Sequence, residues 1–190
     1  MSEPEIEKTF EVYEAFLRNG RVEFPSASRL MEIRERGFGE LKGRKLVLAP
    51  YESFYLLEKG RITVENHAGE KTNFEQLVKA ISGGRPEVWV KYLVYRDLRD
   101  RGYIVRECSG FDFEIHGKGP MRRFIWIVYE GGEANLKTLR QLLTRTAREK
   151  KELILAVVDR RTDIVYYTLD FLKVHPAFKS TLASRQRGKT

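Results

Sequence analysis

Between residues 86 and 116 the apolar positions change from a helical to a two-residue period. Val90, Leu93, Val94, Tyr95 and Leu98 recur at the three- and four-residue spacing of one helix face. Pro86 has a fixed φ suited to a first helical turn, and Gly102 accepts the left-handed backbone that ends a helix. Beyond it Phe111, Phe113 and Ile115 alternate with Asp112, Glu114 and His116, which predicts a strand with an apolar and a polar side. The apolar side faces a core, and the polar side is where chemistry can sit.

Upstream, residues 9–24 predict a hairpin. Phe10, Val12, Val22 and Phe24 alternate with polar residues around Asn19-Gly20, a pair that suits the positive φ angles of a type I′ turn. A helix over residues 3–17, carrying Ile6, Phe10, Tyr13 and Leu17, is the competing reading, and the hairpin is preferred. Ser26 or Ser28 can cap a short helix to about Arg36, stopped by Gly37 and Gly39. A strand over 46–49 leads to a helix from Pro50 through Lys59, buried through Tyr51, Phe54, Tyr55 and Leu57. A strand over 61–65, a turn at His67-Ala68-Gly69 and a helix capped by Asn73, carrying Phe74, Leu77, Val78 and Ile81, complete this half. Two glycines before a proline in Ser82-Gly83-Gly84-Arg85-Pro86 break any continuing helix. This places a boundary between an N-terminal α+β domain, 1–84, and a second domain, 85–174, followed by a basic tail, 175–190.

In the second domain, strands are predicted over 103–107, 111–116 and 123–130. Asn135 can cap a long helix to Lys151 carrying Leu136, Leu139, Leu142, Leu143 and Ala147. Residues 153–158 are apolar on both faces, as in a strand covered on both sides. A turn over 159–163 and a strand over 164–169 follow. The fold class is therefore α+β: a small α+β domain, then a mixed sheet flanked by helices.

The formal net charge of +8 favours an anionic partner, of which nucleic acid is the common one. Cys108 stands alone, so no intrachain disulfide forms, in keeping with a reducing cytoplasm. One Cys with His67, His116 and His175 gives no metal-ligand spacing, so no metal or other cofactor is expected. The N-terminus is acidic and no apolar run approaches ~18 residues, so neither a signal peptide nor a membrane span is expected.

Several blocks in the second domain resemble, in order, the archaeal tRNA-splicing endonucleases. They are residues 92–99, Tyr-Leu-Val-Tyr-Arg-Asp-Leu-Arg; residues 101–105, Arg-Gly-Tyr-Ile-Val; Lys151 followed by Leu153 to Asp159; and Ile164-Val165-Tyr166-Tyr167. The first domain resembles that family's N-terminal domain more loosely. The resemblance implies cleavage of precursor tRNA at a bulge-helix-bulge without a metal, leaving a 2′,3′-cyclic phosphate and a 5′-hydroxyl. Such a reaction needs a base for the 2′-OH proton, an acid for the leaving 5′ oxygen and a cation beside the phosphate. Family members supply a tyrosine, a histidine and a lysine.

In this chain the tyrosine position holds His116, the histidine position holds Met121 or Arg122, and Lys151 fits the lysine position. A lysine at a helix end also serves the helix dipole, and a histidine can act as acid or base near neutral pH. Two of the three expected groups are missing. The resemblance therefore implies a structural, non-catalytic subunit that pairs with a catalytic paralogue in a heterotetramer and contacts precursor tRNA. The alternatives are a catalytic chain working through His116 and Lys151, and a stand-alone RNA-binding module.

The resemblance gives Ile164, Val165, Tyr166 and Tyr167 the place of a strand that joins two subunits. It gives Asp159 and Asp163, interrupted by Arg160 and Arg161, the place of an acidic docking loop. Arg122, Arg123, Arg145 and Arg148 are candidate RNA contacts. Some family enzymes clamp a bulge base between two arginines near the place of Arg145 or Arg148, and a solvated helix face explains these two equally well.

Overall fold

The structure is a computed structural model that describes residues 11–26, 30–117, 122–132 and 135–170. The tail over 175–190 and Met121 lie outside the described residues.

The chain opens with the hairpin, not the competing helix. Strands β1 (Tyr13–Arg18) and β2 (Arg21–Phe24) pair antiparallel, and the turn between them puts Asn19 at φ 50° and Gly20 at φ 69°. Helix α1 (Met31–Glu35) follows, with Leu30 as its N-cap residue and no side-chain cap. Ser26 precedes the helix by five residues and does not cap it, and Ser28 lies outside the described residues. Strand β3 (Glu40–Lys42) pairs with β4 (Lys45–Leu48) and was not foreseen. All three of its residues are exposed, so it carries no inward alternation to read.

Helix α2 (Pro50–Glu58) buries Tyr51, Phe54 and Leu56. Leu57 and Tyr55, expected on the buried face, are half-buried. Strand β5 (Ile62–Glu65) pairs parallel to β1, closing a sheet of order β3-β4-β2-β1-β5. Helix α3 (Phe74–Ser82) begins at Asn73, whose side chain accepts the Gln76 N–H at 2.9 Å while Gln76 reaches back to the Asn73 N–H at 3.0 Å. It ends at Gly83 in the left-handed conformation.

Helix α4 (Pro86–Asp100) buries Tyr92, Leu93, Val94, Tyr95 and Leu98, leaving Val90 half-buried. Strands β6 (Ile104–Cys108), β7 (Phe111–His116) and β8 (Arg122–Tyr129) form an antiparallel meander. Helix α5 (Leu136–Arg148) then crosses over to β9 (Glu152–Val158), which lies parallel to β8, and β10 (Ile164–Leu169) adds antiparallel at the edge. The mixed sheet runs β10-β9-β8-β7-β6.

Helix α5 is shorter than its apolar pattern suggests. It stops at Arg148, with Glu149 as C-cap and Lys150 left-handed at φ 52°. The N–H groups of Lys150 and Lys151 return to the carbonyls of Ala147 and Thr146, the paired bonds of a Schellman ending. Leu136 is 81% exposed and Ala147 is exposed, whereas Thr146 is buried. The face that packs on β9 is therefore narrower than expected.

The two sheets share one apolar core. Tyr51 of α2 lies 4.6 Å from Tyr95 of α4 and 5.0 Å, edge-on, from Phe113 of β7, and all three are buried. A second, smaller cluster of Phe111, Phe124, Leu142 and Leu153 fills the space under α5. Phe111 and Phe124 stack there at 4.1 Å with ring planes 7° apart. That smaller core fixes the floor of the site described next.

Candidate functional site

On β7, Glu114 and His116 lie two residues apart and so project from the same side of the sheet, opposite the buried Phe113 and Ile115. Register sets Arg122 of β8 across from His116, Phe124 across from Glu114, and Leu153 of β9 beyond Phe124. Lys151 enters this face from the Schellman turn, which delivers it directly ahead of β9. One row of sheet positions thus gathers residues from three segments distant in sequence.

Glu114 is the meeting point. Its Oε1 lies 3.1 Å from Lys151 Nζ, 3.7 Å from Arg122 Nη1 and 3.8 Å from His116 Nε2. The Lys151 ammonium also reaches Glu149 Oε2 at 3.1 Å and sits 4.1 Å from the centre of the Phe124 ring. The Glu114 and Lys151 side chains are mostly covered, at 16% and 19% exposure, whereas Arg122 is 58% exposed. Burial works against the Lys151 charge, but hydrogen bonds to Glu114 and Glu149 outweigh it and hold the ammonium above the ordinary lysine value. Glu149 is held below the usual carboxylate range, first by the Arg145 hydrogen bond and then by Lys151.

The structure therefore brings together His116, Lys151 and Arg122, the last being one of two residues offered for the histidine position with Met121 outside the described residues, around a carboxylate that sequence reasoning passed over. A signal for Glu114 was present: it stands two residues before His116 on the polar side of one strand. Arg123, the neighbour of Arg122, points to the other face of the sheet and binds Glu152 Oε2 through its Nε at 2.7 Å.

Arg145 lies on α5 and joins this cluster only through Glu149, which it shares with Lys151. It donates to the Ser109 carbonyl at 2.7 Å and to Glu149 at 2.9 Å, and its guanidinium lies 5.0 Å from the Phe111 ring centre. The exposed Arg148 lines a shallow depression on the outer face of α5 with Lys137, Arg140 and Arg145.

On β10, Val165 and Tyr167 face outward at 49% and 53% exposure. Tyr166 instead points to α4, where its hydroxyl donates to Asp97 at 2.8 Å beside Arg101. In the turn, Asp159 Oδ1 accepts the N–H groups of Arg161 and Asp163 at 2.8 and 2.9 Å, so this carboxylate shapes its own loop. Asp163 and the two intervening arginines are exposed. Among the described residues no group of three or more His, Cys, Asp or Glu side chains is placed to hold a metal ion, and no helix is long and apolar enough to cross a membrane.

The fold is that of an α+β protein with two five-stranded sheets, the second of them mixed and flanked by helices. Residues 13–78 match the family model for the tRNA intron endonuclease N-terminal domain, and residues 88–166 match that for the tRNA intron endonuclease catalytic C-terminal domain. The chain is 34% identical over 167 residues to a tRNA-splicing endonuclease of Pyrococcus abyssi, covering 85% of this chain and 98% of the relative. It is 35% identical over 168 residues to that of Pyrococcus furiosus, with the same coverage. A longer relative, the tRNA-splicing endonuclease of Methanococcoides burtonii, is 35% identical over 136 residues, which make up 68% of this chain and 38% of the relative. The chain belongs to the tRNA intron endonuclease family.

Proposed function

We propose that this chain is the structural subunit of a tRNA-splicing endonuclease, assembled as a heterotetramer with a paralogous catalytic subunit and acting on precursor tRNA. The observation that carries this reading is the content of the three family positions. His116 stands in the tyrosine place, Met121 or Arg122 in the histidine place, and only Lys151 is of the expected type. Arginine stays protonated at any working pH and cannot pass a proton to the leaving 5′ oxygen. Loss of a positioned acid or base costs about 10² to 10⁴ in rate, so cleavage by this chain alone is expected to be negligible. The ammonium of Lys151, moreover, is engaged by two carboxylates.

The β10 edge supports pairing. Among the described residues it is an edge strand with no strand partner on its outer side, and Val165 and Tyr167 are exposed along it. In the assembly this edge would meet the catalytic chain, while Asp163 and the shaped 159–163 loop face basic residues across an interface. The arginines of the α5 outer face would meet the phosphate backbone of the tRNA.

A second reading, that the chain itself cleaves RNA, draws on the convergence of His116 and Lys151 about Glu114. One experiment separates the two. The chain is assayed alone, and mixed with a paralogue carrying Tyr, His and Lys at the matching positions, for cleavage of a bulge-helix-bulge RNA in EDTA. Cleavage only in the mixture is the expected result. Cleavage by the chain alone that disappears with His116→Ala would establish the second reading instead.

A further inference from the structure

The feature the proposed function leaves unused is Glu114. Three nitrogen donors from separate segments, Lys151 Nζ, Arg122 Nη1 and His116 Nε2, surround the same carboxylate oxygen within 3.1 to 3.8 Å. Nitrogen donors gathered on a sheet surface in this way, two of them the cations Lys151 and Arg122, form a receptor for a tetrahedral oxyanion, whose oxygens accept several hydrogen bonds at once. Here the anion is supplied from within the chain.

We propose that Glu114 is a built-in stopper: its carboxylate holds the place of a phosphate group, so that the native chain excludes phosphates from a site its own cations would otherwise form. A phosphate approaching this face meets a carboxylate that is hydrogen-bonded to Lys151 at 3.1 Å, stands within 3.8 Å of Arg122 and His116, and repels it. The β7–β8 register and the stacked Phe111–Phe124 floor hold the carboxylate in place, with Glu114 paired opposite Phe124. Glu149 adds a second negative charge against Lys151 on its other side. Replacing the Glu114 carboxylate with an amide keeps an acceptor for Lys151 but removes one negative charge and leaves the cations in excess. Class and position of ligand follow from this: a phosphate mono- or diester, held by Lys151, Arg122 and His116.

The inference rests on the reading of the chain as a non-cleaving subunit, yet its test reads anion binding and not cleavage. The wild-type chain, Glu114→Gln, and Glu114→Gln combined with Lys151→Gln are titrated with inorganic phosphate at constant ionic strength. Binding is followed by calorimetry and by the His116 ring resonances. The expected result is that Glu114→Gln binds phosphate about 10- to 100-fold more tightly than wild type, the worth of a charge-assisted hydrogen bond no longer opposed. The double variant should fall back to the wild-type level. Equal affinity of Glu114→Gln and wild type would overturn the proposal, as would tighter binding that survives loss of Lys151. Should Glu114→Gln be destabilised, the rise of its melting temperature with phosphate, relative to wild type, gives the same comparison. Cleavage of RNA by the wild-type chain alone would overturn the functional reading instead, whatever the anion data.

Discussion

Glu52 gives this protein an unusual dependence of stability on pH. The side chain occupies the third position of α2 and is 7% exposed. Its Oε2 accepts the Ala49 N–H at 2.8 Å and the Gly39 N–H at 3.1 Å. Burial raises its pKa from 4.5 to about 7; those two hydrogen bonds and the nearby Arg99 pull the other way and do not cancel it, and Glu107 adds a small further rise. Between the ordinary value and about 7, the native state therefore binds more protons at this site than the unfolded chain does. Stability conferred by protonation is present at low pH within this window and is lost as pH climbs through about 7. The distance from 4.5 to about 7 corresponds to about 3 kcal/mol. Glu52→Gln keeps an oxygen for the two backbone donors but does not titrate. In urea unfolding the variant and wild type should be close in stability near pH ~5, and by pH ~8 the variant should be the more stable by up to about 3 kcal/mol. Parallel pH profiles for the two proteins would refute the reasoning, since no proton would then be linked to this carboxyl.

Three further outcomes are expected. Lys150→Gly should stabilise the chain by about 0.5 to 1 kcal/mol in chemical denaturation, because Lys150 holds φ 52° at the position after the α5 cap, where glycine carries no steric cost. Phe113→Ala should cost about 3 to 5 kcal/mol in the same measurement, since the ring is fully buried against Tyr51 and Tyr95. Tyr167→Arg should leave the melting temperature of the isolated chain within about 2 °C of wild type while abolishing co-purification with the catalytic paralogue, because the side chain is 53% exposed on the sheet edge.

Much of the fold was legible wherever a local rule dictates the backbone. Asn19-Gly20 specifies its turn through positive φ, Asn73 caps its helix, and the alternation of residues 111–116 reappears as the burial pattern of β7. What escaped had no local signature. Strand β3 is wholly exposed and is recruited by β4 alone, and α1 begins at a leucine without a side-chain cap. The end of α5 was misjudged because Leu136 and Ala147 fit the helical spacing, yet burial depends on where the helix lies across β9, which only tertiary packing decides.

The candidate site was half legible. His116, Lys151 and, as an alternative to Met121, Arg122 could be named through the family resemblance, and the described residues among them lie together on one sheet face. The weight of Glu114 could not be read in the same way, because a glutamate on the polar side of a strand is ordinary until Lys151 and Arg122, from other segments, turn out to lie beside it with His116 of its own strand.

The aromatic contact of Tyr51 with Tyr95 and Phe113 ties the fate of one half of the chain to the other. Neither sheet can loosen without stripping rings from its neighbour's interior, so the two should melt in a single step. A partner that grips the β10 edge would then steady the distant hairpin as well, and damage at β1 or β2 would be felt at the far end of the molecule.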